Sequence, residues 1–276
     1  MIKFKKDQLV GMNQHYRRYP YEMYLDSMCS CGIQHLEMWC GAPHFMLDPY
    51  GFSNPDTFEH EARARGLSYV SLCAPSMQWQ HQYGAVKGER QKLAAAYYKN
   101  GVQVAAALGC KMISINAGWG FEGEPYNDIV KRSIETVSNV ADFAQAQGIT
   151  LALETLQPIE SNIVLTLEQA AAYYQELNHP AVKMMIDTVA IGVAGETVEQ
   201  WFQTFGENIQ HCHLVDGAPS GHRVFGDGEF SLQEILHAFA TNEYTGYFTM
   251  ELGGVYQEDP FRAERRNMQV LGHYFD

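Results

Sequence analysis

The sequence predicts an α/β fold, one (β/α)₈ barrel domain covering residues 1–276, on three observations. Short apolar runs recur eight times at a regular beat, a helix-like stretch separates each from the next, and several junctions repeat the order helix, Gly, strand. A parallel strand needs a crossover before its neighbour, usually a helix, so eight such alternations in 276 residues are what a closed parallel barrel leaves in a sequence. A doubly wound open sheet is the competing fold, but no Gly-x-Gly-x-x-Gly follows the first strand.

The apolar runs are 9–13, 33–39, 67–74, 110–118, 149–155, 182–189, 209–215 and 246–254. Turn residues bound each one, as expected for strands buried on both faces. Between them, 20–30 is amphipathic, and Asn54-Pro55-Asp56 opens the next helix with cap residues. Helices are predicted over 87–108, ending before Gly109, and over 126–147, ending before Gly148. Further helices follow over 166–177, 196–205, 231–240 and 260–270, the first opening on Thr166 and the third on Ser231 as cap residues. The junctions at Gly66, Gly109 and Gly148 show the helix, Gly, strand order most clearly.

Hydrophobic residues make up 46% of the chain and charged ones 18%, ample for a large core. The net charge of −13, from 19 Lys and Arg against 32 Asp and Glu, disfavours nucleic acid and anionic membrane as partners. No run approaches the roughly 18 apolar residues that span a bilayer, and the start, MIKFKKDQLV, lacks the apolar core of a signal peptide. The six cysteines, at 29, 31, 40, 73, 110 and 212, form no CxxC pair, so buried free thiols in a reducing cytoplasm are expected.

Function in a barrel sits at the C-terminal ends of the strands. The last four strands end on Glu154, Asp187, His213 and Glu251. Period-two alternation aims each with an inner neighbour: Ala152 with Glu154, Met185 with Asp187, His211 with His213, Thr249 with Glu251. A lone strand-end carboxylate is commonly a cap or an ion-pair partner, but four ligand-type residues on successive strand ends form a layer. Three carboxylates converging without a cation repel one another, so one divalent ion is expected there. The oxygen-rich set with one imidazole suits Mn²⁺ first, then Mg²⁺, Co²⁺ or Zn²⁺. Such an ion chelating a carbonyl and an adjacent hydroxyl acidifies the C–H between them, and Glu154 with Glu251 supplies the acid–base pair for isomerisation or epimerisation next to a ketone.

Loops add candidates for substrate contact. Glu37 and Trp39 share a face, and Trp39 can cover the apolar side of a sugar, with His44 beyond it. Trp79 and Trp119 also follow strands. Glu160 and Asn162 follow the fifth strand, and Asp216, His222 and Arg223 precede the Gly226-Asp227-Gly228 turn.

The stretches LEMWCGAPH (36–44), LALETLQPIESN (151–162), MMIDTVA (184–190), IQHCHLVD (209–216), GHRVFGDGEF (221–230) and YFTMELGG (247–254) resemble the xylose isomerase-like TIM-barrel family of sugar isomerases and epimerases, nearest its fructoselysine 3-epimerase branch. D-tagatose 3-epimerase and L-ribulose-5-phosphate 3-epimerase are more distant branches. The resemblance implies metal ligands at Glu154, Asp187, His213 and Glu251, an acid–base pair at Glu154 and Glu251, and a substrate-binding carboxylate at Glu160. The free-ketose epimerases carry a His three residues after the metal-binding Asp, where this chain has Ala190. Their substrate-binding Arg falls on either His222 or Arg223. Both departures favour a modified sugar over a free ketohexose.

The expected activity is therefore metal-dependent 3-epimerisation of a ketose or ketosamine, with aldose–ketose isomerisation on the same fold as the alternative. An abasic-site endonuclease needs more His ligands and a cationic face, and a non-catalytic sugar-binding barrel has no use for an acid–base pair. The expected partners are a small sugar substrate and further copies of the chain in a homo-oligomer.

Overall fold

The computed structural model describes residues 3–75, 82–84 and 87–276, so Trp79 lies outside the described residues. Eight parallel strands close into a barrel: β1 (Leu9–Met12), β2 (His35–Trp39), β3 (Ser68–Cys73), β4 (Met112–Asn116), β5 (Thr150–Glu154), β6 (Val182–Asp187), β7 (Ile209–His213) and β8 (Tyr247–Met250). They pair in chain order, and β8 returns to β1 with Thr249 beside Val10. Every strand lies inside the apolar run that predicts it.

Nine α-helices surround the barrel among the described residues. They are α1 (Tyr21–Cys31), α2 (Pro55–Arg63), α3 (Glu89–Ala107), α4 (Tyr126–Ala146), α5 (Leu167–Leu177), α6 (Thr188–Val193), α7 (Val198–Phe205), α8 (Leu232–Thr241) and α9 (Pro260–Leu271). Their ends follow local chemistry. Thr166 and Ser231 accept backbone N–H bonds from Gln169 and Glu234, and Asn54 accepts one from Asp56. Gly109 and Gly148, at φ of 79° and 67°, let the chain leave α3 and α4 in the left-handed region that a side chain would strain. Along α4 the buried residues Ile129, Ser133, Thr136, Val137, Val140, Ala141 and Ala144 form one stripe at three- and four-residue spacing. Each large apolar side chain buried this way contributes about 1.5–3 kcal/mol. At the opposite end from the strand tips, Phe4 bridges Phe275 and the two rings pack with Phe248, closing the barrel floor.

Two elements differ from expectation. The sixth strand stops at Asp187 rather than continuing to 189, because the Asp187 carboxylate accepts the N–H groups of Val189 (2.6 Å) and Ala190 (3.2 Å) and starts α6 at once. After β2, Leu47–Asp48 and Gly51–Phe52 form a hairpin, held by Asp48 accepting from the N–H groups of Tyr50 and Gly51. Runs of two residues carry no periodicity, so this hairpin is invisible to pattern reading. All six cysteines are free, but Cys29 is exposed and only Cys40, Cys110 and Cys212 are buried, which narrows the expectation of buried thiols. Among the described residues no helix is long and apolar enough to cross a membrane.

Candidate metal centre

The barrel brings Glu154, Asp187, His213 and Glu251 together. One ligand atom from each lies within 4.8 Å of the others, and all four residues are buried. Register explains the layer: Asp187 on β6 and Thr249 on β8 are both paired with His213 on β7, so the strand tips arrive at one height. In the β6–β7 pairing the register shifts between Met184 and Met185, with Gln210 as the extra residue, so the bulge lies in β7 just ahead of His211 and His213.

His213 Nδ1 stands 2.7 Å from Glu251 Oε2 and 3.0 Å from Glu154 Oε1. His222 Nε2 stands 3.0 Å from Asp187 Oδ2 and its Nδ1 3.8 Å from Glu251 Oε2. Glu154 Oε1, His213 Nδ1 and His222 Nε2 are buried and make no hydrogen bond despite these short approaches. Lone-pair atoms crowded without hydrogen-bond geometry are what a donor set built around a shared cation shows. The residues therefore fit a divalent ion, with three carboxylates and one imidazole as donors.

Electrostatics agree. Burial, with Asp187 and Glu251 adding to it, pushes the Glu154 carboxyl from its ordinary 4.5 up to about 8, although His213 pulls the other way. Burial opposes charge on His213, yet Glu251, Glu37 and Glu154 outweigh it and hold the ring well above its ordinary range. His222 behaves alike: burial is overcome by Asp187, Glu251 and Glu160, which push it up to about 10. Asp187 is buried too, but His222, His213 and the Ala190 N–H keep its carboxyl below its usual range. Without metal, the two imidazoliums carry the positive charge that the carboxylates demand.

A pH dependence follows. A ligating Glu154 and His213 must each shed a proton that the metal-free site retains at neutral pH. Divalent-ion affinity should thus rise with pH from 6 to 8, with protons released on binding, and Glu154's share of that rise should level off above about 8. Calorimetry in buffers of differing ionisation enthalpy measures the release. Affinity independent of pH across that window would contradict the assignment of these donors.

The remaining candidates separate. His222, not Arg223, reaches the cluster: Arg223 Nη1 donates to the Asp227 carbonyl 3.2 Å away, within its own loop. That loop is built on Asp216, whose buried carboxylate accepts the N–H groups of Gly217, Gly226, Gly228 and Phe230 at 2.8–2.9 Å. Glu160 accepts the Gln157 N–H at 2.9 Å, and burial raises its carboxyl, with Asp187 and Glu251 adding. Asn162 braces the preceding loop through both the N–H and the carbonyl of Gly120.

Trp39 is nearly buried, with the Arg17 guanidinium 5.0 Å over its ring. His44 uses both ring nitrogens inside the protein: Nδ1 accepts from Asn13 at 3.2 Å and Nε2 donates to the Tyr19 carbonyl at 2.8 Å. Asn13 also pairs with the Trp39 backbone in both directions, so Trp39 and His44 belong to one brace between β1 and β2. Neither ring of that pair joins the cluster. Trp119 is half-buried and packs edge-on to Phe121 with centroids 5.3 Å apart.

Sequence reasoning notes Glu37 only for the face it shares with Trp39. It is fully buried in β2, and its carboxylate meets His211 Nε2 (2.7 Å), His213 Nε2 (3.3 Å) and Thr249 Oγ1 (2.6 Å). Burial disfavours its charge, and the facing His211 and His213 outweigh that, holding the carboxyl well below the usual range. The signal was present, since a Glu inside an apolar strand costs several kcal/mol unless paired, the argument that singles out Glu154.

Fold and site together define a TIM-barrel protein with an acidic, single-imidazole cluster at the strand tips that could hold a metal ion. The chain belongs to the family described as xylose isomerase-like TIM barrel, whose model matches residues 25–271. Among curated proteins it is similar to fructoselysine 3-epimerase from Shigella flexneri, 25% identical over 268 residues, covering 92% of this chain and 93% of that protein. D-psicose 3-epimerase from Agrobacterium fabrum is 30% identical over 120 residues, 44% of this chain and 40% of the relative. These relatives are 3-epimerases, a kind of isomerase, and the chain stands among them. Among solved structures, D-psicose 3-epimerase from Clostridium cellulolyticum H10, solved with D-tagatose, superposes with a TM-score of 0.77 over 96% of this chain and 97% of that one at 18% identity, which supports the fold.

Proposed function

We propose that the chain is a divalent-metal-dependent 3-epimerase of a ketose or ketosamine, with a fructoselysine-type sugar as the favoured substrate class and Mn²⁺ as the favoured ion. The observation that carries this reading is the convergence of Glu154 and Glu251 on His213 Nδ1, with Asp187 completing the donor set. When bound, the cation supplies Lewis acidity toward a carbonyl and the neighbouring hydroxyl, making the C–H between them acidic.

The chain's own residues do the rest. One of Glu154 and Glu251 takes the C3 proton as a general base, C3 becomes planar, and the other carboxyl returns a proton to the opposite face. The exchange is redox-neutral and needs no further reactant. His222, a partly buried imidazole held protonated beside Asp187 and Glu251, suits a substrate oxygen bearing partial negative charge. Glu160, beyond the tip of β5, suits sugar hydroxyls. Charge supports this reading over a nucleic-acid hydrolase: the chain carries −13, and the four-residue donor set has one imidazole.

The test is a panel of ketoses and fructosamines incubated with Mn²⁺-supplemented protein in D₂O. The expected result is deuterium at C3 of both epimers of one substrate, lost on chelation. Label at C1 or C2 with an aldose product would replace the reading with aldose–ketose isomerisation, and absence of exchange from every substrate would reject both.

A further inference from the structure

Beneath the four-residue donor set lies a second buried group, Glu37, His211 and His213, whose ligand-type atoms also lie within 4.8 Å of one another. The two groups share His213 but differ in one respect. In the upper group Glu154 Oε1 and His213 Nδ1 have no hydrogen-bond partner, whereas every ring nitrogen and carboxylate oxygen joining Glu37 to the two histidines is paired. Thr249 Oγ1 completes the lower group, donating to Glu37 Oε2 at 2.6 Å. The lower group is satisfied by itself and calls for no ion, while the upper one does.

The consequence for His213 is geometric. Its two nitrogens point into different groups: Nε2 faces Glu37 Oε1 at 3.3 Å, and Nδ1 faces Glu154 and Glu251 at 3.0 and 2.7 Å. A carboxylate can only accept, and both nitrogens face carboxylates, so the metal-free ring holds a hydrogen on each; a cation bound at Nδ1 would take the place of the hydrogen there and leave the one on Nε2, which Glu37 accepts. The ring itself is fully buried and cannot turn over without breaking these contacts. Glu37 enters from β2, far from the ligands in sequence; it sits beside Met12 of β1 in unbroken register and beside Ser71 of β3 just after a register shift in that pairing.

We propose that Glu37 is a positioning residue of the metal centre: fixed by His211 and Thr249, its carboxylate accepts the Nε2–H of His213 and thereby presents Nδ1 to the metal. This inference rests on the metal reading above and extends it to a residue outside the donor set. Outer carboxylates that hold a ligating imidazole are worth about 10- to 100-fold in metal affinity.

The test compares wild type with Glu37→Gln, Glu37→Ala and Thr249→Val. Gln keeps the shape but loses the charge and one acceptor oxygen; Ala removes the carboxylate; Val removes only the hydroxyl donor to it. Near-UV circular dichroism and thermal unfolding of the metal-free proteins establish which variants fold. Affinity is read by chelator competition with Mn²⁺ and Zn²⁺, and the His213 ring by ¹⁵N NMR of histidine-labelled, zinc-loaded protein. The expected result is about a 10-fold loss in Glu37→Gln, up to about 100-fold in Glu37→Ala and a smaller loss in Thr249→Val. In wild type the spectrum should show a metal-bound Nδ1 and a protonated Nε2, a signature that destabilised packing alone would not remove. Folded Glu37 variants that bind both ions as tightly as wild type, or a wild-type His213 bound through Nε2, would overturn the positioning role while leaving the metal reading intact. A wild type that binds neither ion would overturn both, so the two failures are distinguishable. If Glu37→Gln does not fold, Thr249→Val carries the same comparison.

Discussion

Glu251→Gln should stop exchange of the substrate C3 proton with solvent deuterium and lower turnover by about 10²–10⁴-fold, the range that loss of a general acid–base group produces. Glutamine keeps the length of the side chain and one donor oxygen, so part of the metal site survives, and saturating Mn²⁺ separates loss of chemistry from loss of the ion. The fold should tolerate the change. Glu251 is one of three carboxylates crowded within 4.8 Å around His213, so in the metal-free site the loss of its ion pair with that ring is offset by relief of the repulsion among them. Metal-free thermal unfolding should therefore stay close to wild type. Exchange that persists in a folded, metal-loaded Glu251→Gln variant would remove Glu251 from the acid–base pair.

The second large effect is expected at Asp187, which has three jobs on one carboxylate. It belongs to the candidate donor set, it pairs with His222 at 3.0 Å, and its Oδ1 caps α6 by accepting from Val189 and Ala190. Asp187→Asn retains a good capping side chain, whereas Asp187→Ala loses the cap at about 1 kcal/mol. Both remove a charged donor, so both should weaken metal binding by more than the roughly 10- to 100-fold that an outer partner is worth. Chemical denaturation should separate Ala from Asn, and metal affinity should not. Asp187→Asn that binds Mn²⁺ as tightly as wild type would take Asp187 out of the donor set.

Both predictions concern residues that were visible before folding was considered. Glu154, Asp187, His213 and Glu251 each close an apolar run, and a charged or imidazole side chain at that place is conspicuous because the strand around it is otherwise apolar. His222 was half visible. The Gly226-Asp227-Gly228 turn marked its loop, but adjacent residues on a loop have no fixed period, so nothing local separates His222 from Arg223. Asp216 decides the matter by gathering four backbone N–H groups and shaping the loop so that the His222 ring meets Asp187. For Trp39 and His44 the fold adds what the sequence does not show: Asn13 and Tyr19 engage both His44 ring nitrogens, Asn13 holds the Trp39 backbone, and Arg17 covers the Trp39 ring.

From the sequence alone, one can read the eight strands, eight of the nine described helices, the Gly punctuation at 109 and 148 and the four residues of the strand-tip cluster. All of these depend on periodicity and turn chemistry within a few residues. What only the tertiary structure decided depends on closure of the barrel. Closure sets Glu37 of β2 against His211 and His213 of β7 and Thr249 of β8, residues more than 170 positions apart in the chain. Register shifts, with Val70 of β3 and Gln210 of β7 as the extra residues, then set the pairing around Glu37 and ahead of His211, and a shift of register leaves no periodic trace. The cluster residues are a local fact of each strand; that His213 turns Nε2 toward Glu37 and Nδ1 toward Glu154 and Glu251 is a property of the closed barrel.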